Sequence, residues 1–106
     1  MSYAVYAIES FDKETSRLDA LDEQILKKTF LQLKENPFVG DAIRYRFFLE
    51  KRLREKRIYY LIYEEFSIVL LIAFGGKKAQ QETIDEIVKL LPEYKKYAEE
   101  LFKNQN

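Results

Sequence analysis

The period of hydrophobic positions changes repeatedly along the chain, and each change marks an element. In Ser2 to Ile8, Tyr3, Val5 and Ala7 alternate with Ala4, Tyr6 and Ile8, the two-residue repeat of a strand. Ser10 is a plausible N-cap, and Phe11, Leu18 and Leu21 then recur among charges as a short first helix. Asp19 and Asp22 cap or begin a second helix, whose apolar stripe is Ile25, Leu26, Thr29, Phe30 and Leu33. Asn36-Pro37 ends it, because the residue before a proline is pushed out of the helical region. The two helices form a hairpin, and Phe38 to Ile43, with Gly40, reads as a loop.

Three strands follow: Phe47 to Leu53, Arg57 to Glu64, and Ile68 to Phe74. Their connections, near Arg54-Glu55 and around Glu65-Phe66-Ser67, are short enough to force antiparallel neighbours. The last strand is apolar throughout, the mark of burial on both faces and a central place in a sheet. In the middle strand Arg57, Tyr59, Leu61 and Tyr63 share one face, and Ile58, Tyr60 and Ile62 the other. Beyond Gly75-Gly76 and Lys77-Lys78 the period is helical again, in Ile84, Ile87, Val88 and Leu91. Pro92 interrupts it as a first-turn proline, and Tyr94, Tyr97, Ala98, Leu101 and Phe102 make a further stripe. The order is β-α-α-β-β-β-α-α. It predicts one α+β domain over residues 1–106, with a small antiparallel sheet packed against an N-terminal helix hairpin. Residues 93–106 extend it as an additional C-terminal helix.

Composition narrows the chemistry. With no Cys and no His, the chain has no disulfide, thiolate nucleophile, imidazole-based triad or ordinary zinc site. No metal and no cofactor is expected. The uncharged run Phe66 to Phe74 is too short to span a bilayer as a helix, and the first ten residues lack the pattern of a signal peptide, so the expected location is cytoplasmic.

Charge adds a direction. The formal net charge is zero, but seven basic and two acidic residues fall between Arg44 and Arg57, a local net of +5 against −5 elsewhere. Such segregation suits an anionic partner. Arginine and lysine beside tyrosine on a sheet face are equipped to hold an RNA backbone and stack its bases. Lys77-Lys78 follows a glycine pair that can swing both ammonium groups onto a phosphate. Glu64-Glu65 and Glu99-Glu100 point their members apart, so neither forms a catalytic carboxylate pair. Glu82 and Asp85 read as dipole and cap partners of a helix. The C-terminal stripe must cover something: its own sheet, a second copy, or a partner's groove.

Taken together, the element order and four strings resemble the RelE/ParE superfamily of toxins from type II toxin–antitoxin systems. The strings are YAVYAI, LKENPFVGD, EKRLREKRIYYLIYEE and GGKKAQQETIDEIVKLL, and they span roughly residues 3 to 91. The resemblance implies a ribosome-dependent, metal-independent endonuclease that cuts messenger RNA, the RNA's own 2′-hydroxyl attacking the adjacent phosphate. It implies that Arg52 and Arg57 bind the scissile phosphate and that Lys51 and Lys78 assist charge and proton movement. Arg54, Lys56 and Lys77 would contact RNA. Tyr60, standing where the family has an arginine, would stack on a base. It further implies a cognate antitoxin over the basic strands. Tyr94, Tyr97, Leu101 and Phe102 are the partner-binding set, and a homodimer is left open. Two alternatives share the fold: a non-catalytic protein-binding module docking through the C-terminal helix, and a ParE-like inhibitor of DNA gyrase.

Overall fold

A computed structural model describes residues 2–105. The elements are β1 (Ala4–Ala7), α1 (Glu9–Glu14), α2 (Ala20–Glu35), β2 (Asp41–Ile43), β3 (Tyr45–Leu53), β4 (Lys56–Tyr63), β5 (Ile68–Gly76), α3 (Gln80–Lys89) and α4 (Leu91–Asn104). The strands form one sheet in the order β1-β5-β4-β3-β2. β2 to β5 run antiparallel in succession, but β1 is parallel to β5. The expected antiparallel sheet is borne out for β2 to β5, and β1 adds a parallel strand at its edge. The α1–α2 hairpin carries the chain from one edge of the sheet to the other, and three reversals then bring β5 back beside β1 in the same direction. β2 falls within the stretch expected as loop, because its three residues are too few for a period to show.

Both faces of the sheet are covered. On one, Phe11, Leu26 and Leu33 of α1 and α2 meet Leu49, Ile58, Tyr60, Ile62, Val69 and Leu71. On the other, Ile84, Ile87 and Ala98 of α3 and α4 meet Phe48, Tyr59, Leu61, Ile68, Leu70 and Ile72. β5 is buried on both sides because a helical layer lies on each. The register of β4 against β5 shifts between Tyr59 and Tyr60, which pair with Ala73 and Leu71. The extra residue, Ile72, leaves it and Ala73 both against the α3–α4 layer, as a bulge requires.

Local chemistry sets the helix ends. Asp19 caps α2, its carboxylate accepting from the Asp22 backbone N–H at 2.7 Å. The proposed Ser10 cap is corrected: Ile8 stands at that position without a side-chain bond, and Ser10 lies inside α1. α1 also stops at Glu14, so Leu18 lies in the connection and Leu21 belongs to α2. Pro92 sits in the first turn of α4 as expected. That helix docks through the fully buried Ala98, a 4.9 Å stack of Phe66 on Phe102, and a 2.8 Å Lys95–Glu65 bond. Among the described residues no helix is long and apolar enough to cross a membrane.

Four tyrosines in these layers, Tyr59, Tyr60, Tyr63 and Tyr94, resist ionisation, chiefly because burial disfavours the phenolate; Tyr60 is pushed up to about 12. Their folded values lie above the unfolded value near 10, so the unfolded chain loses protons first as pH rises. Stability is thus fully present below about pH 10 and falls between pH 10 and 12, with Tyr60 alone accounting for about 2–3 kcal/mol. Urea titrations across this range, followed by circular dichroism, should show that decline; a flat profile would contradict the burial of these hydroxyls.

Candidate nucleic-acid interface

Strand alternation sorts the basic residues before any long-range contact does. Across β3, β4 and β5 one row is Arg52, Arg57 and Gly75; the next is Glu50, Tyr59 and Ala73. Both rows share the α3–α4 face with Phe48 and Leu61. Lys51 pairs with Ile58 and lies on the α2 face, in a groove with Lys28, Thr29 and Gln32. Its strand position sets it on the opposite face from Arg57, although Arg52 also lines that groove. A one-residue step along a strand reverses the face.

Arg52 and Arg57 stand directly opposite each other, an unfavourable juxtaposition of like charges. Glu50 relieves it. Its carboxylate lies 3.8 Å from Arg57 Nε. Gln80, the first residue of α3, joins the two: its Oε1 accepts from Arg57 Nη1 at 2.7 Å, and its Nε2 donates to Glu50 at 3.1 Å. The Arg57 and Glu50 side chains are only 11% and 19% exposed. Beneath them the Tyr59 hydroxyl is buried with no hydrogen-bond partner. Burial raises its pKa most, Glu50's charge adds to that, and Arg57 opposes it.

Three other arginines of the basic stretch are ion-paired with acids from elsewhere in the chain. Arg44 pairs with Asp85 at 2.9 Å, Arg46 with Glu64 at 3.7 Å, and Arg54 with Asp22 at 3.0 Å. Asp85 is thus an ion-pair partner rather than a helix-dipole residue. Arg54 adopts a left-handed conformation at the β3–β4 turn, which turns it toward α2. Lys56 lies on that side too, in a groove lined by Glu14, Asp19 and Asp22. Arg54 and Lys56 therefore stand apart from the Arg52–Arg57 row. Lys77 and Lys78 are exposed in the turn between β5 and α3, two and three residues past Gly75. Among the described residues, Arg52, Lys77 and Lys78 form no ion pair.

One further expectation is corrected. Tyr60 cannot stack on a base: it is 0% exposed, its hydroxyl donates to the Pro37 carbonyl at 2.7 Å and accepts from the Gly40 N–H at 3.1 Å. It fastens the Asn36–Gly40 segment to β4. Tyr94 and Leu101 are half-buried against their own sheet. Tyr97 and Phe102 are 41% and 37% exposed, although Phe102 is already stacked on Phe66. A cavity of about 520 Å³, lined by Phe47, Ile62, Tyr63, Leu91 and Pro92 together with the charged Glu64, Glu65 and Lys95, lies at the far end of β4 from Arg57. Glu50, Tyr59 and Gln80 were not singled out from sequence. Alternation would have placed Glu50 and Tyr59 beside the arginines; nothing in the sequence marks Gln80. Among the described residues no acidic cluster could hold a metal ion.

The mixed sheet between two helical layers, with its cations at the β3–β4–β5 end, is a RelE-like toxin fold. A mutant of the Escherichia coli toxin RelE in the free state superposes with a TM-score of 0.72 at 26% identity, covering 84% of this chain and 97% of that one. The toxin–antitoxin complex RelBE2 of Mycobacterium tuberculosis matches at 0.64 and 17%, over 73% of this chain and all of that one. The archaeal RelE–RelB complex from Pyrococcus horikoshii matches at 0.63 and 14%, over 74% and 98%. By sequence, no family model and no curated protein matches the chain.

Proposed function

We infer that the chain is the toxin of a toxin–antitoxin pair and cuts messenger RNA on the cytoplasmic ribosome. The observation that supports this most is the Arg52–Arg57 row with Lys77 and Lys78 just beyond its end, on a fold of RelE type. In the reaction the 2′-oxygen forms a bond to the adjacent phosphorus as the bond to the 5′-oxygen breaks. The 2′ proton is lost and the leaving oxygen gains one. Arg52, Lys77 and Lys78 neutralise the charge that builds on the phosphoryl oxygens, a role that needs neither imidazole nor metal. Arg57 completes the set. An antitoxin holds the toxin inactive by covering these cations; the solved RelE–RelB complexes support a partner of this kind.

Controlled expression tests this. Induction should stop protein synthesis and growth, and the triple variant Arg52→Ala/Lys77→Ala/Lys78→Ala should abolish the arrest. In binding assays with single-stranded RNA, each removed cation should lower the salt-dependence slope by about 0.7. If supercoiling fails before translation, gyrase is the target instead. Growth unaffected by induction would refute the toxin reading.

A further inference from the structure

One cation of the proposed set, Arg57, is already occupied. Gln80 and Glu50 hold it, and its side chain is almost entirely covered. A carboxylate beside an anion-binding row is unexpected on electrostatic grounds, since it lowers the potential that would attract a phosphate. Its position is nevertheless determined by the sheet. Glu50 is two residues from Arg52 on the same face, so it lies diagonal to Arg57 across the β3–β4 ladder. Gln80 suits the junction because an amide can accept from the guanidinium and donate to the carboxylate at once. An acid there would repel Glu50, and a base would repel Arg57.

We propose that Glu50 is an internal stand-in for the anionic ligand: with Gln80 it closes over Arg57, and a phosphodiester engages Arg57 only by displacing it. This deepens the nuclease reading and rests on it. The parts needed for opening are adjacent. Gln80 begins α3 and follows the short turn Lys77–Ala79, which leaves β5 directly after Gly75 and Gly76, the partners of Arg57 and Lys56 in the ladder. Lys77 and Lys78 lie on the same short segment, exposed to solvent. A phosphate drawn in by Arg52, Lys77 and Lys78 thus pulls on the residues that carry Gln80. As Gln80 withdraws, Glu50 loses its donor and Arg57 its neutral acceptor, and the guanidinium turns to the phosphate.

The experiment is fluorescence anisotropy with a short labelled single-stranded RNA, on purified full-length protein with folding checked by circular dichroism. Glu50→Gln, which keeps the shape of the side chain, should bind about fivefold more tightly, the scale of one partly screened ion pair. Glu50→Ala should move affinity in the same direction. Adding Arg57→Ala to Glu50→Gln should erase the gain. Glu55→Gln makes the same charge change at the β3–β4 turn, away from Arg57, and should have a smaller effect. The clip is overturned if Glu50→Gln gains no more than Glu55→Gln, or if its gain survives loss of Arg57, while wild-type binding still depends on Arg52. Absence of RNA binding by both wild type and Glu50→Gln would remove the nuclease reading itself, and the clip with it.

Discussion

Gly40→Ala is expected to be among the most damaging single substitutions in this protein, costing about 3 kcal/mol or more. A Cβ built at Gly40 would lie 2.5 Å from the Glu50 carbonyl oxygen and 2.6 Å from the Tyr60 hydroxyl. Backbone conformation is not the obstacle: φ is −84° and ψ −173°, extended values open to any residue. The obstacle is space, and one of the two opposing atoms is backbone of β3, which cannot rotate away. Relief requires moving either the Asn36–Gly40 segment or β3 at Glu50. The second movement would carry Glu50 away from Arg57 and Gln80. A urea titration should show the midpoint collapse; an unchanged midpoint would mean that the segment does not approach β3 as described.

Conservative substitutions at neighbouring positions of β4 should have opposite signs. Tyr60→Phe removes the hydroxyl that bonds both Pro37 and Gly40, leaving a buried carbonyl and N–H unsatisfied, and should cost about 2–3 kcal/mol. Tyr59→Phe removes a buried hydroxyl with no partner and should be neutral or stabilising by about 1 kcal/mol. Chemical denaturation of the two variants side by side measures both. RNA affinity supplies an independent check. Tyr60→Phe and Tyr60→Leu should bind RNA like wild type wherever they are folded. Affinity lost without lost stability would restore Tyr60 to the interface.

The fate of the basic stretch shows where reading residues in order stops being enough. Seven basic residues between Arg44 and Arg57 looked like one surface. Three of them, Arg44, Arg46 and Arg54, are bound by acids that lie outside that stretch, namely Asp85, Glu64 and Asp22. The local excess of +5 and the remainder of −5 are thus partly each other's partners. Sequence separation conceals this, because such pairs form between elements 18 to 41 residues apart. The tyrosines failed as an interface for a related reason. Alternation in β4 correctly separated Tyr59 from Tyr60, but it could not show that helices cover both faces.

The order and kind of the long elements were determined by the sequence alone. Periodicity placed α2, the three principal strands, α3 and α4, and Asp19, Asn36-Pro37 and Pro92 marked their limits, because these signals are local and need no partner to act. The absence of Cys and His likewise confined the chemistry to cations, carboxylates and phenols. Tertiary structure decided the rest: the parallel β1–β5 pair, the burial of Tyr60, the placing of Lys51 on the face opposite Arg57, and the closure of Glu50 and Gln80 over Arg57. Each depends on which elements meet. That is set by how the whole chain buries its apolar faces on both sides of one sheet, and it leaves no local trace at a residue such as Gln80.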